Sequence, residues 1–233
     1  MRQIVGELSW LSICTRPDIS YAVNTQALYQ EHPTQVHASA TKSVIRYLKG
    51  SQNLGLTFHR NDTRPMYAAC DANFSNEPKK CSRSGFAVFR AGAATVWGSN
   101  TNKPPAQSTA EAELVSGSEC TKSVLWVRQL LEEIGWAVEG PTMIHIDNQS
   151  TIRLATMQTS SHRMRHVAVR DQLISHHVEE GNITVTYIPT ADNPSDHLTK
   201  PLRGEVFLKH RRTLMGEAGA AVIPAQPASQ PSS

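Results

Sequence analysis

Between positions 1 and 60, apolar residues recur every three or four places. They do so in Ile4-Val5-Gly6-Glu7-Leu8-Ser9-Trp10-Leu11, in Pro17-Asp18-Ile19-Ser20-Tyr21-Ala22-Val23, and from Gln35 to Leu48. That period predicts helices. Pro17 and Pro33 suit first-turn positions, and Gly50 suits the stop of the third helix. Lys42 and Arg46, four apart, share one solvated face. From residue 65 the pattern changes. Met66–Cys70, Gly85–Phe89 and Ala94–Trp97 are short apolar runs in quick succession, divided by turn-rich segments such as Ser82-Arg83-Ser84-Gly85. This predicts an antiparallel meander. A long amphipathic helix follows, then a strand at Met143–Ile146, helical stretches up to Glu180, a strand at Ile183–Ile188 and a final helix from near Ser195. Strands in succession, then strands alternating with helices, predict an α/β fold. Its mixed five-stranded sheet is flanked by helices and preceded by a small helical segment.

Composition narrows the class. At 233 residues, 39% apolar and 18% charged, the chain suits one large or two small globular domains rather than a fibrous or disordered protein. A net charge of +3 permits nucleic-acid binding without demanding it. Cys14, Cys70, Cys81 and Cys120 are scattered, which suits free thiols in a reducing compartment better than a disulfide framework or a zinc site. No apolar run approaches the roughly 18 residues of a membrane span, and no signal peptide opens the chain. An intracellular protein without a membrane partner is expected. From Glu217 onward the chain runs to Ala, Pro, Ser and Gln, so residues 217–233 are expected to form a disordered tail.

The candidate chemistry lies in four carboxylates: Asp71, Glu113, Asp147 and Asp196. Each stands where one kind of element gives way to another. Acids at strand ends and helix starts can converge, and four together repel unless cations neutralise them. Two hard divalent ions about 3.5–4 Å apart are the usual use of such a cluster in phosphodiester cleavage. Singly, each has a structural role open to it. Asp71 suits a turn, Asp147 a helix N-cap, and Asp196 a helix first turn with Asp192 as its rival. Glu111 competes with Glu113, and helical spacing separates them. Ser108-Thr109-Ala110-Glu111 reads as a capping box, with Glu111 reaching back to the N-cap. Steps of three and four from Glu113 give Gly117, Cys120, Val124, Val127 and Leu131, a core-facing stripe. The same steps from Glu111 give Val115, Ser118, Lys122 and Gln129, a mostly solvated face.

Arg163, Arg165, His166 and Arg170 form a candidate phosphate-binding patch, as do Lys79, Lys80 and Arg83; a merely solvated face is the alternative for both.

At these residues the chain resembles the ribonuclease H domain of copia-type LTR retrotransposon polyproteins. The resemblance runs through Cys70-Asp71-Ala72-Asn73-Phe74, Ser108-Thr109-Ala110-Glu111-Ala112-Glu113-Leu114 and Ile146-Asp147-Asn148-Gln149-Ser150. It continues in Arg163-Met164-Arg165-His166-Val167, Tyr187-Ile188-Pro189-Thr190 and Asp196-His197-Leu198-Thr199-Lys200-Pro201-Leu202. Together these cover about residues 66–215. Thr15-Arg16-Pro17-Asp18-Ile19 and Arg46-Tyr47-Leu48-Lys49-Gly50 resemble the family's C-terminal reverse-transcriptase segment. The resemblance implies a ribonuclease H-like domain at 65–215 and a thumb- or connection-like segment at 1–60. It further implies that Asp71, Glu113, Asp147 and Asp196 bind two Mg²⁺ ions, with Mn²⁺ able to substitute. The expected partners are an RNA–DNA hybrid and the polymerase domain of the same polyprotein, in cytoplasmic virus-like particles or the nucleus. The family's usual second Asp and Trp after the first catalytic Asp are here Asn73 and Phe74, and the aromatic residue usual after the catalytic Glu is Leu114. No Tyr-x-Asp-Asp polymerase motif is present.

Two functions follow as expectations. One is a metal-dependent endonuclease that cuts the RNA strand of a hybrid; the order Asp, Glu, Asp, Asp argues against the related integrases. The other is an inactive hybrid-binding or structural remnant. The N-terminal helices hold no candidate catalytic residue and are expected to act as a positioning arm. Trp10, Leu11, Tyr21, Val23, Leu28 and Tyr29 supply apolar surface, part of which is expected to be exposed or loosely docked.

Overall fold

The three closely spaced apolar runs form the expected meander: β1 (Tyr67–Asn73), β2 (Arg83–Arg90) and β3 (Ala93–Thr101), paired antiparallel. β4 (Thr142–Ile146) and β5 (Ile183–Tyr187) run parallel to β1, giving one five-stranded sheet in the order β3-β2-β1-β4-β5. The architecture is the ribonuclease H-like α/β arrangement that the sequence implied. The computed structural model describes residues 1–74, 82–102, 108–156, 169–218 and 220, and of residues 154–156 and 169–172 the backbone alone.

β2 starts two residues before its apolar run, so Arg83-Ser84-Gly85, expected in a turn, is strand. The reason lies in its neighbours. Arg83 pairs with Asn73 on one side and Thr101 on the other, so this stretch has strand partners on both sides.

Helices cover both faces of the sheet, which is why β1 and β4 are buried on either side. On one face α4 (Thr109–Glu133) and α6 (Val169–Glu179) enclose a core of Ala68, Cys70, Val88, Val124, Ile144, Ile146 and Ile174. The stripe from Glu113 through Gly117, Cys120, Val124, Val127 and Leu131 is buried as its spacing predicts. Val115 and Ser118, expected to face solvent, are buried as well. α5 (Gln149–Thr156) and α6 pack beside α4, so its first turns are enclosed on more than the sheet side. On the other face Leu198 and Leu214 join Tyr67, Ala69, Ala87, Phe89 and Met143. These two leucines come from α7 (Asp196–Thr199) and α8 (Gly204–Met215). The chain cannot continue as one helix there. Pro201 bars the preceding residue from helical geometry, and Lys200 is extended at φ −130°, ψ 151°.

The N-terminal segment forms α1 (Arg2–Cys14), a 3₁₀ turn (Pro17–Ile19), α2 (Ser20–Ala27) and α3 (Gln35–Gly50). Leu8, Ile19, Val23 and Val44 give it a small core of its own. Arg16 and Asp18 form a buried ion pair at 2.8 Å, and the Tyr47 hydroxyl donates to Asp18 at 2.6 Å. Polar contacts tie the segment to the sheet layer: Trp97 Nε1 donates to Ser12 O at 2.8 Å, and a His197 ring nitrogen meets Asp18 O at 2.9 Å. Trp10 and Ile13 stay exposed, at 65% and 72%. No helix among the described residues is long and apolar enough to cross a membrane. Cys14, Cys70 and Cys120 are free thiols.

Candidate metal centre

Asp71 and Asp147 owe their proximity to strand pairing. β1 and β4 run parallel with Cys70 beside Ile146, so the next residue of each chain leaves the sheet at the same level. Strand alternation places Asp71 with Tyr67 and Ala69, on the face that α7 covers. Glu113 comes from the second turn of α4, on the opposite layer. The three acids meet over the carboxyl ends of the strands, each with one carboxylate oxygen within 4.8 Å of the others.

Asp196 opens α7, and a glycine lets that helix come close. Gly85 pairs with Asp71 across β1 and β2. A Cβ there would stand 2.5 Å from Thr199 Cγ2 and 2.9 Å from Leu198 Cβ. Thr199 donates its hydroxyl to Asp71 Oδ2. The loop leading in is fixed by Asn193, whose amide donates to Cys70 O at 2.9 Å while its Oδ1 accepts from Ser195 N at 3.1 Å. From the α4 side, Ser116 Oγ donates to Asp71 O at 2.7 Å.

Crowding acids in a buried place raises their proton affinity. Burial first, then the charges of Asp71 and Asp147, push Glu113 up to about 9. Its Oε2 is buried with no hydrogen-bond partner. Burial and Asp71 push Asp196 up to about 7, against the pull of Lys200. Asp147 is raised by burial and by Asp71, opposed by the Thr190 hydroxyl, which donates to Oδ2 at 2.9 Å, and by Lys200. One ammonium, that of Lys200, faces four acids, and the carboxylates offer oxygen donors only. That is what a hard divalent cation fits, and the unbonded Glu113 oxygen is the atom it would satisfy.

Of the structural roles open to these residues, only the helix first turn is filled, by Asp196 in α7. Asn148 Oδ1, not Asp147, accepts from Ser150 N at 2.9 Å and Thr151 N at 3.2 Å and so caps α5. Asp71 lies within a strand, not a turn. Asp192 pairs with Lys209 at 2.5 Å, away from the acids. Glu111 is exposed beside its cap, where Ser108 Oγ accepts from Glu111 N at 3.1 Å.

The basic candidates fare differently. Lys79, Lys80, Arg163, Arg165 and His166 lie outside the described residues, and of Arg170 only its place in α6 is described. Arg83, expected on a phosphate-facing surface, is buried. Its guanidinium lies over the Tyr21 ring, 4.9 Å from the centroid, and donates to Ser99 and Thr25 at 3.2 Å. The N-terminal helices cover that position, so it holds two layers together.

Reading residue types missed Lys200. Its ammonium lies 2.8 Å from Asp196 Oδ1 and 3.3 Å from Asp71 Oδ2. Burial by itself would lower Lys200, but Asp71 and Asp196 outweigh it and the pKa is raised. The signal was present as the Asp196–Lys200 spacing of four. Thr190, Asn193 and Ser116 carried no such signal, because their partners are distant in sequence.

No family model matches the chain. It is 33% identical over 207 residues to the retrovirus-related Pol polyprotein from transposon RE1 of Arabidopsis thaliana, covering 88% of this chain and 14% of that one. It is 32% identical over 197 residues to the corresponding polyprotein from transposon TNT 1-94 of Nicotiana tabacum, covering 84% and 15%. The chain thus spans about one seventh of the length of these relatives. Among solved structures, the ribonuclease H1 LC11 isolated from compost aligns at 12% identity with a TM-score of 0.43, covering 59% of this chain and 94% of that one.

Proposed function

Since the chain belongs to the family of copia-type retrotransposon Pol polyproteins, we propose that it is a ribonuclease H acting during reverse transcription inside the cell. It hydrolyses the RNA strand of an RNA–DNA hybrid. The observation that carries this reading is the convergence of Asp71, Glu113 and Asp147 within 4.8 Å, with Asp196 joined to Asp71 through Lys200.

Asp71, Glu113, Asp147 and Asp196 would hold two Mg²⁺ or Mn²⁺ ions. When bound, such ions would supply an activated water and stabilise charge on the scissile phosphate and the leaving 3′ oxygen. The chain supplies the frame. Thr199 and Ser116 hold Asp71 by its side chain and its carbonyl, and Thr190 fixes one Asp147 oxygen. Asn193 anchors the loop that carries Asp196. Such outer bonds keep ligands near their working geometry. The site lies at the sheet end, where a duplex can approach, and selection of a hybrid rests on backbone shape and 2′-hydroxyl contacts rather than base edges. A separate polymerase domain of the same polyprotein would make the hybrid.

The test is cleavage of a labelled RNA–DNA hybrid with Mg²⁺. Asp147→Asn should reduce the rate by at least about a thousandfold while the circular dichroism spectrum and hybrid affinity hold. Full activity in that variant overturns the assignment. Hybrid binding without turnover by the unaltered chain, in Mg²⁺ and in Mn²⁺, leaves the inactive hybrid-binding reading in its place.

A further inference from the structure

Lys200 reaches two of the acids with one positive charge. Its Nζ is 2.8 Å from Asp196 Oδ1, and 3.4 and 3.3 Å from the two oxygens of Asp71. We propose that the Lys200 ammonium is a built-in counter-ion that holds Asp71 and Asp196 together until a divalent ion displaces it, so that the site loads by exchanging one cation for another. The proposal rests on the divalent-ion reading of the carboxylates given above.

Three features make the lysine suited to exchange. Its backbone is rigid: Pro201 holds it extended, and Lys200 N donates to Asp196 O at 2.9 Å. The preceding residues are pinned by the Thr199 hydroxyl on Asp71 and by Ser99 Oγ, which donates to Leu198 O at 2.6 Å. The side chain, in contrast, is 30% exposed, so the ammonium has a short way out to water on its flexible stem. Finally, the ammonium bonds Asp71 and Asp196 but neither Glu113 nor Asp147. The unbonded Glu113 oxygen and Asp147 are therefore donors that an ion can take while Lys200 still holds the other two acids.

The physical consequence has two parts. Without a divalent ion, the ammonium relieves repulsion between acids that burial has brought together. With one, the same charge opposes the incoming ion until it moves aside. Affinity for the ion is therefore lower than four unpaired acids would give, and the empty site keeps its shape.

The test uses the full chain without nucleic acid, with Mn²⁺ binding measured by calorimetry. Lys200→Met keeps the stem and removes the charge; Lys200→Arg keeps a charge. Lys200→Met should bind Mn²⁺ about tenfold more tightly than the unaltered chain, as expected for removing one nearby like charge. In EDTA it should melt several degrees lower, and saturating Mn²⁺ should close that gap. Lys200→Arg should return both values towards those of the unaltered chain. Equal or weaker Mn²⁺ binding by Lys200→Met overturns the exchange while leaving the ion site standing. If the folded unaltered chain binds no Mn²⁺, the divalent-ion reading falls and the exchange falls with it. Should Lys200→Met not fold, the ¹⁵N-resolved ammonium signal of Lys200 in the unaltered chain decides. The signal should shift or vanish as Mg²⁺ is added, and a signal unmoved at saturation overturns the proposal.

Discussion

Glu113 shows what burial does to an acid with like charges around it. Unfolded, the side chain titrates near 4.5; folded, it keeps its proton to about 9, because burial and the charges of Asp71 and Asp147 oppose ionisation. Between those values the folded state holds a proton that the unfolded state has released, so stability falls as pH rises from 4.5 towards 9. Glu113→Gln removes that dependence. In EDTA at pH 8 the variant should melt above the unaltered chain, by about 2–4 °C for each kcal/mol recovered, and at pH 4.5 the two should nearly coincide. Differential scanning fluorimetry across pH measures this. A variant less stable than the unaltered chain at pH 8 would show that Glu113 is ionised and held by a partner. At this scale much could be read directly. Helical spacing separated Glu113 from Glu111 because a helix side chain keeps its direction wherever the helix lies. Thr190 and Asn193 could not be read, since a hydroxyl or amide acquires its role only from the distant group it meets.

The elements follow local pattern closely, with exceptions where two of them touch. All five strands and the long helix α4 stand where apolar spacing and the Ser108 cap place them. β2 runs through a segment that reads as a turn because it has strand partners on both sides. Val115 and Ser118 are covered because α5 and α6 arrive beside α4. Gly85 is the sharpest case: isolated, it reads as a turn residue, yet in the fold it lets α7 sit against β2 opposite Asp71. Gly85→Ala forces Thr199 and Leu198 to shift, an overpacking that should cost about 1–3 kcal/mol in urea unfolding. Because Thr199 and Asp196 move together, divalent-ion binding should weaken in the same variant. A loss of stability with unchanged ion affinity would mean that α7 adapts without moving Asp196.

At the level of the whole molecule, His145, His197 and His210 are the buried histidines among the described residues. His145 and His210 are lowered to about 4 chiefly by burial, and His197 is lowered as well. Below about pH 6.5 the unfolded chain takes up protons at these sites, while folded His145 and His210 do so only near pH 4. Stability is therefore present above pH 6.5 and is lost as the pH falls towards 4. His145→Gln should make the slope of melting temperature between pH 6.5 and 4.5 shallower; an unchanged slope would place acid sensitivity elsewhere. The N-terminal helices pose the other question at this scale. They have their own small core, yet they also receive the Trp97 indole, the Arg83 guanidinium and a His197 ring nitrogen. Deleting residues 1–60 should leave a folded sheet with its two main cores, a lower melting temperature and weaker hybrid binding, followed by calorimetry and salt-dependent titration. Loss of cooperative unfolding would make the helices part of the core rather than an arm.

The order of the elements, the covering of both sheet faces and the candidacy of the four acids are all written locally. Periodicity, caps and a run of short motifs carry them, and each of these depends on residues within a few positions of one another. The position of Asp196 beside Asp71 is of another kind. It depends on the missing side chain at Gly85, on Asn193 bonding a carbonyl 123 positions away, and on Pro201 turning Lys200 back towards the acids. The burial of Arg83 likewise required knowing where α2 would lie. Charge, burial and proton affinity at such places are set by neighbours far along the chain. Only packing decides which neighbours those are.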